Sequence, residues 1–211
     1  MDTLETIKRS EIIAIARGIK SEDLIPASLA LYRAGIRAFE VTFEQDKPLV
    51  RTTESIVALI GSMPGDAVIG AGTVMTTDQV RAAFQAGARF IISPNTERSV
   101  IEETKRLGMA SIPGAMTPTE IAAAYSYGAD IVKVFPAGFL GAEYFKAIKA
   151  PLSHIPMAAV AGVTPDNIAD FKKAGACAFG ISSGVYLKDA VINHDLEAIT
   201  SAAEEFYARI R

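Results

Sequence analysis

The stretch YSYGADIVKV, residues 125–134, ends a helical pattern at a glycine and then begins a short apolar strand. Glycine is common just past a helix end because it tolerates positive φ. The same arrangement recurs in YRAGIRAFEV (32–41), FQAGARFIIS (84–93), KRLGMASIPG (105–114) and KKAGACAFGI (172–181). Gly87, Gly108 and Gly128 follow one another at intervals of one repeat unit. Gly35 lies about two units before Gly87, and Gly175 lies about two units after Gly128. A unit of about 20–26 residues is the length of one strand plus one helix.

Apolar runs after these glycines, and between them, predict eight strands near residues 11–16, 36–43, 67–71, 89–93, 109–113, 130–135, 156–161 and 177–182. Helices are predicted between the strands, with starts at Ser21, Thr76, Thr117 and Thr164, the last followed by Pro165. Eight alternating units predict an α/β fold, a compact (β/α)₈ TIM barrel that spans residues 1–211 as one domain. A doubly wound open sheet is the main alternative, but no early GxGxxG motif favours it.

The composition excludes several classes of protein. The 211 residues are 50% hydrophobic and 21% charged, with a net charge of -3, which predicts no nucleic-acid partner and no anionic membrane surface. The N-terminal MDTLETIKRS has no apolar signal-peptide core, and the single Cys177 fits a reducing cytoplasm. His154 and His194 belong to no metal-ligand spacing, so we expect no zinc or similar transition-metal site.

Two charged residues lie within strands that are otherwise apolar. Alternation places Lys133 on the same face as Ile131 and Phe135, and Glu40 on the face opposite Phe39 and its apolar neighbours. In a barrel both side chains would point inward. Burial favours the neutral amine, which attacks carbonyl carbon to form an iminium, and a nearby carboxylate can then move the proton that carbon–carbon cleavage requires. The structural alternative is a buried Lys–Glu ion pair.

Active sites of such barrels lie at the carboxyl ends of the strands, so the other candidates are the residues found there. Arg17 ends strand 1 and could pair with a substrate carboxylate or simply be solvated. Thr73 and Pro94 end strands 3 and 4, where a helix cap, a turn or a strand end would also explain them. After strands 7 and 8, small and hydroxyl residues could hold a phosphate or form tight turns: Gly162, Ser182 and Ser183.

Six segments, in chain order, resemble the class I 2-keto-3-deoxy-6-phosphogluconate (KDPG) aldolases, some of which also cleave 4-hydroxy-2-ketoglutarate (KHG). They are FEVTF (39–43), IGAGTV (69–74), ISPN (92–95), IPGAMTPTE (112–120), VKVFPA (132–137) and AGVTPDN (161–167). The resemblance covers nearly the whole chain. It implies a (β/α)₈ barrel, a homotrimer, and no metal or dissociable cofactor.

The resemblance also assigns roles by position. Lys133 matches the Schiff-base lysine, and Glu40 matches the general acid/base. The remaining matches are the pyruvate-pocket residues Thr73 and Pro94, the aromatic Phe135 two places beyond the lysine, and the phosphate-loop residues Gly162 and Ser183.

The chain departs from the family pattern at two places. Many members read EVTLRT at strand 2, and their arginine helps to hold the substrate carboxylate. Here Glu44 stands in that place, and Arg17 is the natural substitute. The usual PTGG before helix 7 reads Ala159-Val160-Ala161-Gly162, so one hydroxyl and one glycine of the expected phosphate grip are lost.

These features lead to one first hypothesis and several alternatives. The first is cleavage of 2-keto-3-deoxy-6-phosphogluconate to pyruvate and glyceraldehyde 3-phosphate. The galactonate epimer is the nearest alternative, because members that act on it resemble IARGI (15–19), PNTERSVI (94–101) and GAEYFKAIKA (141–150). KHG, which carries no phosphate, is a third substrate. A barrel isomerase, epimerase or transferase without a Schiff base, or a non-catalytic phospho-ligand binder, would keep the phosphate loops without needing Lys133.

Overall fold

Nine parallel strands form a nearly closed barrel in the computed structural model, which describes residues 2–211. The TIM-barrel prediction is therefore confirmed. The strands are β1 (Ile12–Ala16), β2 (Ala38–Thr42), β3 (Val68–Gly72), β4 (Phe90–Ile92), β5 (Ala110–Ile112), β6 (Gly114–Ala115), β7 (Val132–Val134), β8 (Met157–Val160) and β9 (Ala178–Ile181).

Helices precede, separate and follow these strands. They are α1 (Thr3–Ser10), α2 (Ser21–Arg33), α3 (Leu49–Ser62), α4 (Thr77–Gln85), α5 (Arg98–Arg106), α6 (Pro118–Ser126), α7 (Ala137–Lys149), α8 (Ile168–Lys173), α9 (Lys188–Ile192) and α10 (Leu196–Ile210). None of these helices, within residues 2–211, is long and apolar enough to cross a bilayer.

The barrel has nine strands rather than the predicted eight because the fifth is divided at Pro113. Strand β5 pairs with β4, and β6 pairs with β7, so the two halves of one extended segment bond to different neighbours. Proline has no N–H to donate, which ends a ladder at that point. The Pro113 carbonyl still accepts from Lys133 N at 2.8 Å, and β1 joins β9 on the other side.

The predicted helix starts are correct at three places and wrong at one. Thr76 and Thr117 cap α4 and α6 with complete capping boxes, and Ser21 is the first residue of α2. The start at Thr164 is wrong, since α8 begins at Ile168. There the side chain of Asn167 accepts from Thr164 N at 2.8 Å, which makes a turn before the helix.

Strand alternation divides the core into two layers. One set of side chains packs outward against the helices, and the other fills the barrel interior. Helix α1 closes the amino-terminal end of the barrel, where Ile7 joins the interior set and is fully buried. The Phe90 ring fills the space above Gly70, where an added Cβ would lie 2.3 Å from the ring. The opposite end, where the strands finish, is left for polar side chains.

Candidate active site

Lys133 and Glu40 both lie inside the barrel. Lys133 lies two positions after Ile131, and Glu40 lies two positions after Ala38. Ile131 and Ala38 face the barrel interior, and residues two positions apart in a strand face the same side. Lys133 is 6% exposed and Glu40 is 1% exposed. The structure thus brings together the two charged residues that alternation had placed inside the sheet.

A glycine on the neighbouring strand makes room for the Glu40 carboxyl. Gly72 ends β3 opposite Thr42, and an added Cβ there would lie 1.6 Å from Glu40 Oε1. Any side chain at this position would displace the carboxyl. The sequence shows Gly72 only as part of a strand end, so its role in placing Glu40 emerges from the structure alone.

Burial shifts the titration of both groups toward their neutral forms. Burial raises the pKa of the Glu40 carboxyl to about 7, and the positive charges of Lys133 and Arg17 oppose that shift. Burial also lowers the pKa of the Lys133 ammonium, against the pull of Glu40 and with the help of Arg17. Glu40 Oε2 has no hydrogen-bond partner among residues 2–211. Nor does a salt bridge join Glu40 to Lys133 within that range, so the pair is not a satisfied structural ion pair.

Phe135 lies close to the lysine, and Pro94 lies against the neighbouring strand. The Lys133 Nζ lies 4.5 Å from the centroid of the Phe135 ring, and Phe135 is partly buried. Gly114 is the register partner of Lys133, and an added Cβ on it would lie 2.3 Å from the Pro94 carbonyl oxygen. The end of β4 therefore packs against the strand next to Lys133, with no space for a side chain between them.

Arg17 and Thr73 are joined at the mouth of the barrel. Arg17 Nη2 donates to Thr73 Oγ1 at 3.0 Å, and Thr73 has a left-handed backbone with φ 56°. Thr73 is therefore neither the cap of α4, which is Thr76, nor an ordinary turn residue. Glu44 turns toward α3, where its carboxylate lies 3.7 Å from Arg51. The Glu44 side chain is thus directed to Arg51, and Arg17 is the cation that is hydrogen-bonded to Thr73.

Comparison with known proteins agrees with this geometry. Residues 4–202 match the family model described as KDPG and KHG aldolase. The chain belongs to this aldolase family.

Two curated relatives and one solved structure show how similar the aldolase is to members of the family. A probable 2-dehydro-3-deoxy-6-phosphogalactonate aldolase of Rhizobium meliloti is 39% identical over 83% of this chain and 81% of the relative. The KHG/KDPG aldolase of Escherichia coli is 31% identical over 88% of this chain and 85% of its own. A native KDPGal structure superimposes with a TM-score of 0.83 at 34% identity, covering 94% of this chain and 93% of the other. Family members are lyases, and so is this chain.

The two predicted phosphate loops of the aldolase are neighbours. Strands β8 and β9 pair, with Val160 opposite Gly180, so the loops that follow them emerge side by side. Ala161 and Gly162 both have positive φ, 69° and 75°. The left-handed backbone is therefore kept at position 161 although alanine replaces glycine there. Gly162 also packs directly on Gly138 in the first turn of α7, where an added Cβ would lie 2.9 Å from Gly138 Cα.

The two serines after β9 differ in their surroundings. The Ser182 hydroxyl donates to the Ile15 carbonyl at 2.9 Å and so ties β9 to β1. Ser183 is exposed. Of the two, Ser183 is the serine whose hydroxyl faces solvent.

A cavity of about 580 Å³ opens between the loops after β1 and β9 of the aldolase. It is bordered by Arg17 and Ser183 and by the cationic side chains of Lys20 and Lys188. Glu22 and Asp23 line it as well, together with apolar side chains such as Val191 and Ile192. No group of three or more His, Cys, Asp or Glu side chains able to hold a metal occurs within the described residues 2–211.

Proposed function

We propose that this chain is a class I, Schiff-base aldolase that splits a 2-keto-3-deoxy-6-phospho sugar acid into pyruvate and glyceraldehyde 3-phosphate. One observation carries the proposal. A lysine whose pKa is lowered by burial shares the barrel interior with a buried carboxyl that has an unpartnered oxygen. A structural ion pair would have satisfied both groups. A nucleophile and a proton carrier are left available instead.

In the proposed mechanism the Lys133 amine attacks the C2 ketone, and loss of water from the resulting carbinolamine leaves an iminium. The Glu40 carboxylate takes the proton of the C4 hydroxyl, directly or through one water, as the C3–C4 bond breaks. The iminium accepts the electron pair and becomes an enamine, while the C4 fragment leaves as the aldehyde. Proton return to C3 and addition of water then release pyruvate and the free amine. The raised pKa of Glu40, about 7, suits a group that both accepts and returns this proton.

The carboxylate of pyruvate is assigned to Arg17 and Thr73. Guanidinium binds carboxylate with two parallel hydrogen bonds, and the Thr73 hydroxyl holds the guanidinium in place. Phe135 and Pro94 would form the walls of the pyruvate pocket beside Lys133.

Replacing Arg17 with alanine is expected to raise the Michaelis constant for pyruvate in the condensation direction by about tenfold or more, because a charge-assisted contact to the carboxylate is lost. Initial rates at varied pyruvate and fixed aldehyde measure the effect. Exposed Arg209 at the far end of α10 provides the control, and Arg209→Ala should leave the constant unchanged. An unchanged constant in Arg17→Ala would reject this assignment.

The phosphate of the substrate is assigned to the loops that contain Gly162 and Ser183. The retained left-handed backbone at Ala161 and the exposed Ser183 support a phosphate subsite despite the departure from PTGG. The adjoining cavity brings Lys20 and Lys188 to the same side of the barrel mouth as Arg17. Lys20 lies 3.6 Å from the Glu22 carboxylate, so Arg17 and Lys188 are the cations whose charges favour an anionic group there. Ser182, already bonded to Ile15, would support the loop more than the ligand.

The two phosphorylated candidate substrates are epimers at C4. The galactonate-named relative is 39% identical to this chain and the KHG/KDPG aldolase 31%, so we propose 2-keto-3-deoxy-6-phosphogalactonate as the first substrate to test. The gluconate epimer, which the sequence placed first, is the second candidate. Both share the chemistry at Lys133 and differ only where the C4 hydroxyl meets the site.

Side-by-side rates with the two phosphorylated epimers and KHG test this proposal, with pyruvate release followed by a coupled dehydrogenase. We expect kcat/KM for the better phosphorylated epimer to exceed that for KHG by about tenfold or more, because KHG has no phosphate to bind. Equal or faster cleavage of KHG would reject the phosphate subsite. Cleavage of none of the three would reject the proposed function.

We also propose that the aldolase is a homotrimer that associates through the outer face of α3. The inner face of this helix is buried, including Ile56 and Leu59, yet large apolar side chains are also exposed on its outer face, beside Glu54. Val50 and Val57 are 55% and 56% exposed there, and a groove of about 590 Å³ separates them from α4. Apolar side chains exposed next to one another commonly mark a contact with another protein chain.

Val57→Glu is expected to convert the trimer to monomers, because it places a charge in the centre of this apolar face. Ile192→Glu is the matched control, since Ile192 is 58% exposed on α9, away from α3. Sedimentation velocity should show the trimer for the wild type and for Ile192→Glu, and monomers for Val57→Glu. A monomeric wild type, or a Val57→Glu trimer, would contradict this interface.

The cytoplasm is the compartment we propose for the aldolase. Cys177 is the one cysteine of the chain, so no disulfide can form within it. Burial raises the pKa of the Cys177 thiol, which keeps the sulfur protonated and weakly reactive. Such a cysteine suits a reducing environment.

A further inference from the structure

Thr73 has an unfavourable backbone conformation at the place where the proposed carboxylate site is built. Its φ of 56° lies in the left-handed region, which β-branched residues rarely occupy. Such conformations persist only where the surroundings hold them. The Thr73 hydroxyl accepts from Arg17 Nη2 at 3.0 Å, so the conformation of Thr73 bears directly on the guanidinium.

A side chain that the sequence pattern did not single out holds this conformation. Gln45 Nε2 donates to the Thr73 carbonyl at 2.8 Å. One residue earlier, the Gly72 carbonyl accepts from Phe43 N at 2.8 Å, which is the last backbone bond between the β2 and β3 segments. The Gln45 amide therefore extends the ladder by one step, beyond the point where the two backbones separate.

The orientation of the Gln45 amide is fixed by a second glutamine. Gln79 Oε1 accepts from the backbone N–H groups of Met75 and Thr76, at 2.7 and 3.2 Å, as part of the α4 capping box. Only its Nε2 is left to face Gln45, and it donates to Gln45 Oε1 at 3.0 Å. The Gln45 amide must then direct its Nε2 to Thr73. These contacts fix which atom of each amide is the nitrogen and which is the oxygen.

We propose that Gln45 is a positioning residue for the substrate carboxylate. It holds the left-handed Thr73, whose hydroxyl in turn holds the Arg17 guanidinium, and the buried Gln79 anchors it to the first turn of α4. Gln45 itself touches neither the substrate nor the reacting atoms. The inference rests on the proposed function, since it assumes that Arg17 binds the carboxylate of pyruvate.

The first test replaces Gln45 with glutamate, which has the same shape but no N–H to offer the Thr73 carbonyl. The amount of adduct trapped by borohydride at increasing pyruvate concentration gives the half-saturating pyruvate concentration. We expect Gln45→Glu to raise it about tenfold while kcat for cleavage changes less than about threefold. Asp46→Asn, at the next position of the same exposed loop, should leave both values unchanged. Gln45→Ala is the second variant if the glutamate disturbs folding.

A double-mutant cycle separates a positioning role from a general structural one. If Gln45 acts through Arg17, Gln45→Glu should change the half-saturating concentration less than about twofold in an Arg17→Ala background. A full tenfold effect in that background would overturn the inference. If Arg17→Ala raises the half-saturating pyruvate concentration but neither Gln45→Glu nor Gln45→Ala does, only this inference is wrong. If Arg17→Ala has no effect, the carboxylate assignment in the proposed function is wrong and this inference falls with it.

Discussion

Replacing Lys133 with methionine is expected to abolish aldol cleavage, with kcat lowered by about 10⁴-fold or more. Methionine fits the apolar surroundings of Lys133 but has no amine to form the iminium, and the loss of a covalent nucleophile typically has an effect of this size. Pyruvate release from the better phosphorylated substrate measures the rate. The Lys133→Arg variant keeps a positive charge without an attacking amine and should be equally inactive.

Two controls make the Lys133 result specific. Lys146→Met removes an exposed lysine of α7 and should leave kcat unchanged. The thermal midpoint of Lys133→Met should be no lower than that of the wild type, because the ammonium it replaces is buried at a cost. Cleavage by a folded Lys133→Met protein at more than about one hundredth of the wild-type rate would contradict the role of Lys133.

The second large effect is expected at Glu40, where glutamine should lower kcat by about 10²- to 10⁴-fold, the range for losing a general acid/base. The wild-type kcat/KM should rise with pH up to about 7, since the carboxylate is the form that accepts the proton. Glu40→Gln cannot ionise and should lose this limb of the pH profile. A pH profile that is the same in the two proteins would assign the proton transfer to another group.

The same carboxyl should make the wild type less stable at higher pH. The folded-state pKa of Glu40, about 7, lies above its ordinary value of 4.5, so the folded protein binds this proton more tightly than the unfolded chain. The contribution of Glu40 to stability is therefore largest below pH 4.5 and is lost as the pH rises through 7. The gain in unfolding free energy from Glu40→Gln should therefore be larger at pH 8 than at pH 5, by about 2 to 3 kcal/mol. Chemical denaturation at the two pH values measures it, and an equal gain at both would show that Glu40 does not titrate as proposed.

Much of the barrel and the centre of its site follow from local patterns. Glycines after helices mark where strands begin, and the period of two places Lys133 and Glu40 inside without any knowledge of their neighbours. The capping boxes at Thr76 and Thr117 are equally local signals. Such features can be predicted from the sequence because each depends on residues within a few positions of one another.

The features that the sequence did not reveal depend on contacts between distant segments. Gly72 matters because the Glu40 carboxyl, from another strand, occupies the space of its missing side chain. Gln45 lies in a loop with no periodicity, and its bond to Thr73 spans 28 positions. The helix start at Thr76 was predicted, but the Gln79 Nε2 that the Thr76 capping box leaves for Gln45 was not. At Thr164 the carbonyl accepts from Asn167 N and Ile168 N, which forms a turn, and the regular helix α8 begins only at Ile168.

The most direct test of the central claim is covalent trapping. The wild-type protein is incubated with pyruvate and borohydride, digested, and the modified peptide is located by mass spectrometry, with Lys146→Met and Lys133→Met treated in parallel. We expect a reduced pyruvate adduct on Lys133 in the wild type and in Lys146→Met, and none in Lys133→Met. A folded wild-type protein with no adduct, or with its adduct on another lysine, would rule out Lys133 as the Schiff-base residue and favour a phosphate-binding barrel that works without a Schiff base at Lys133.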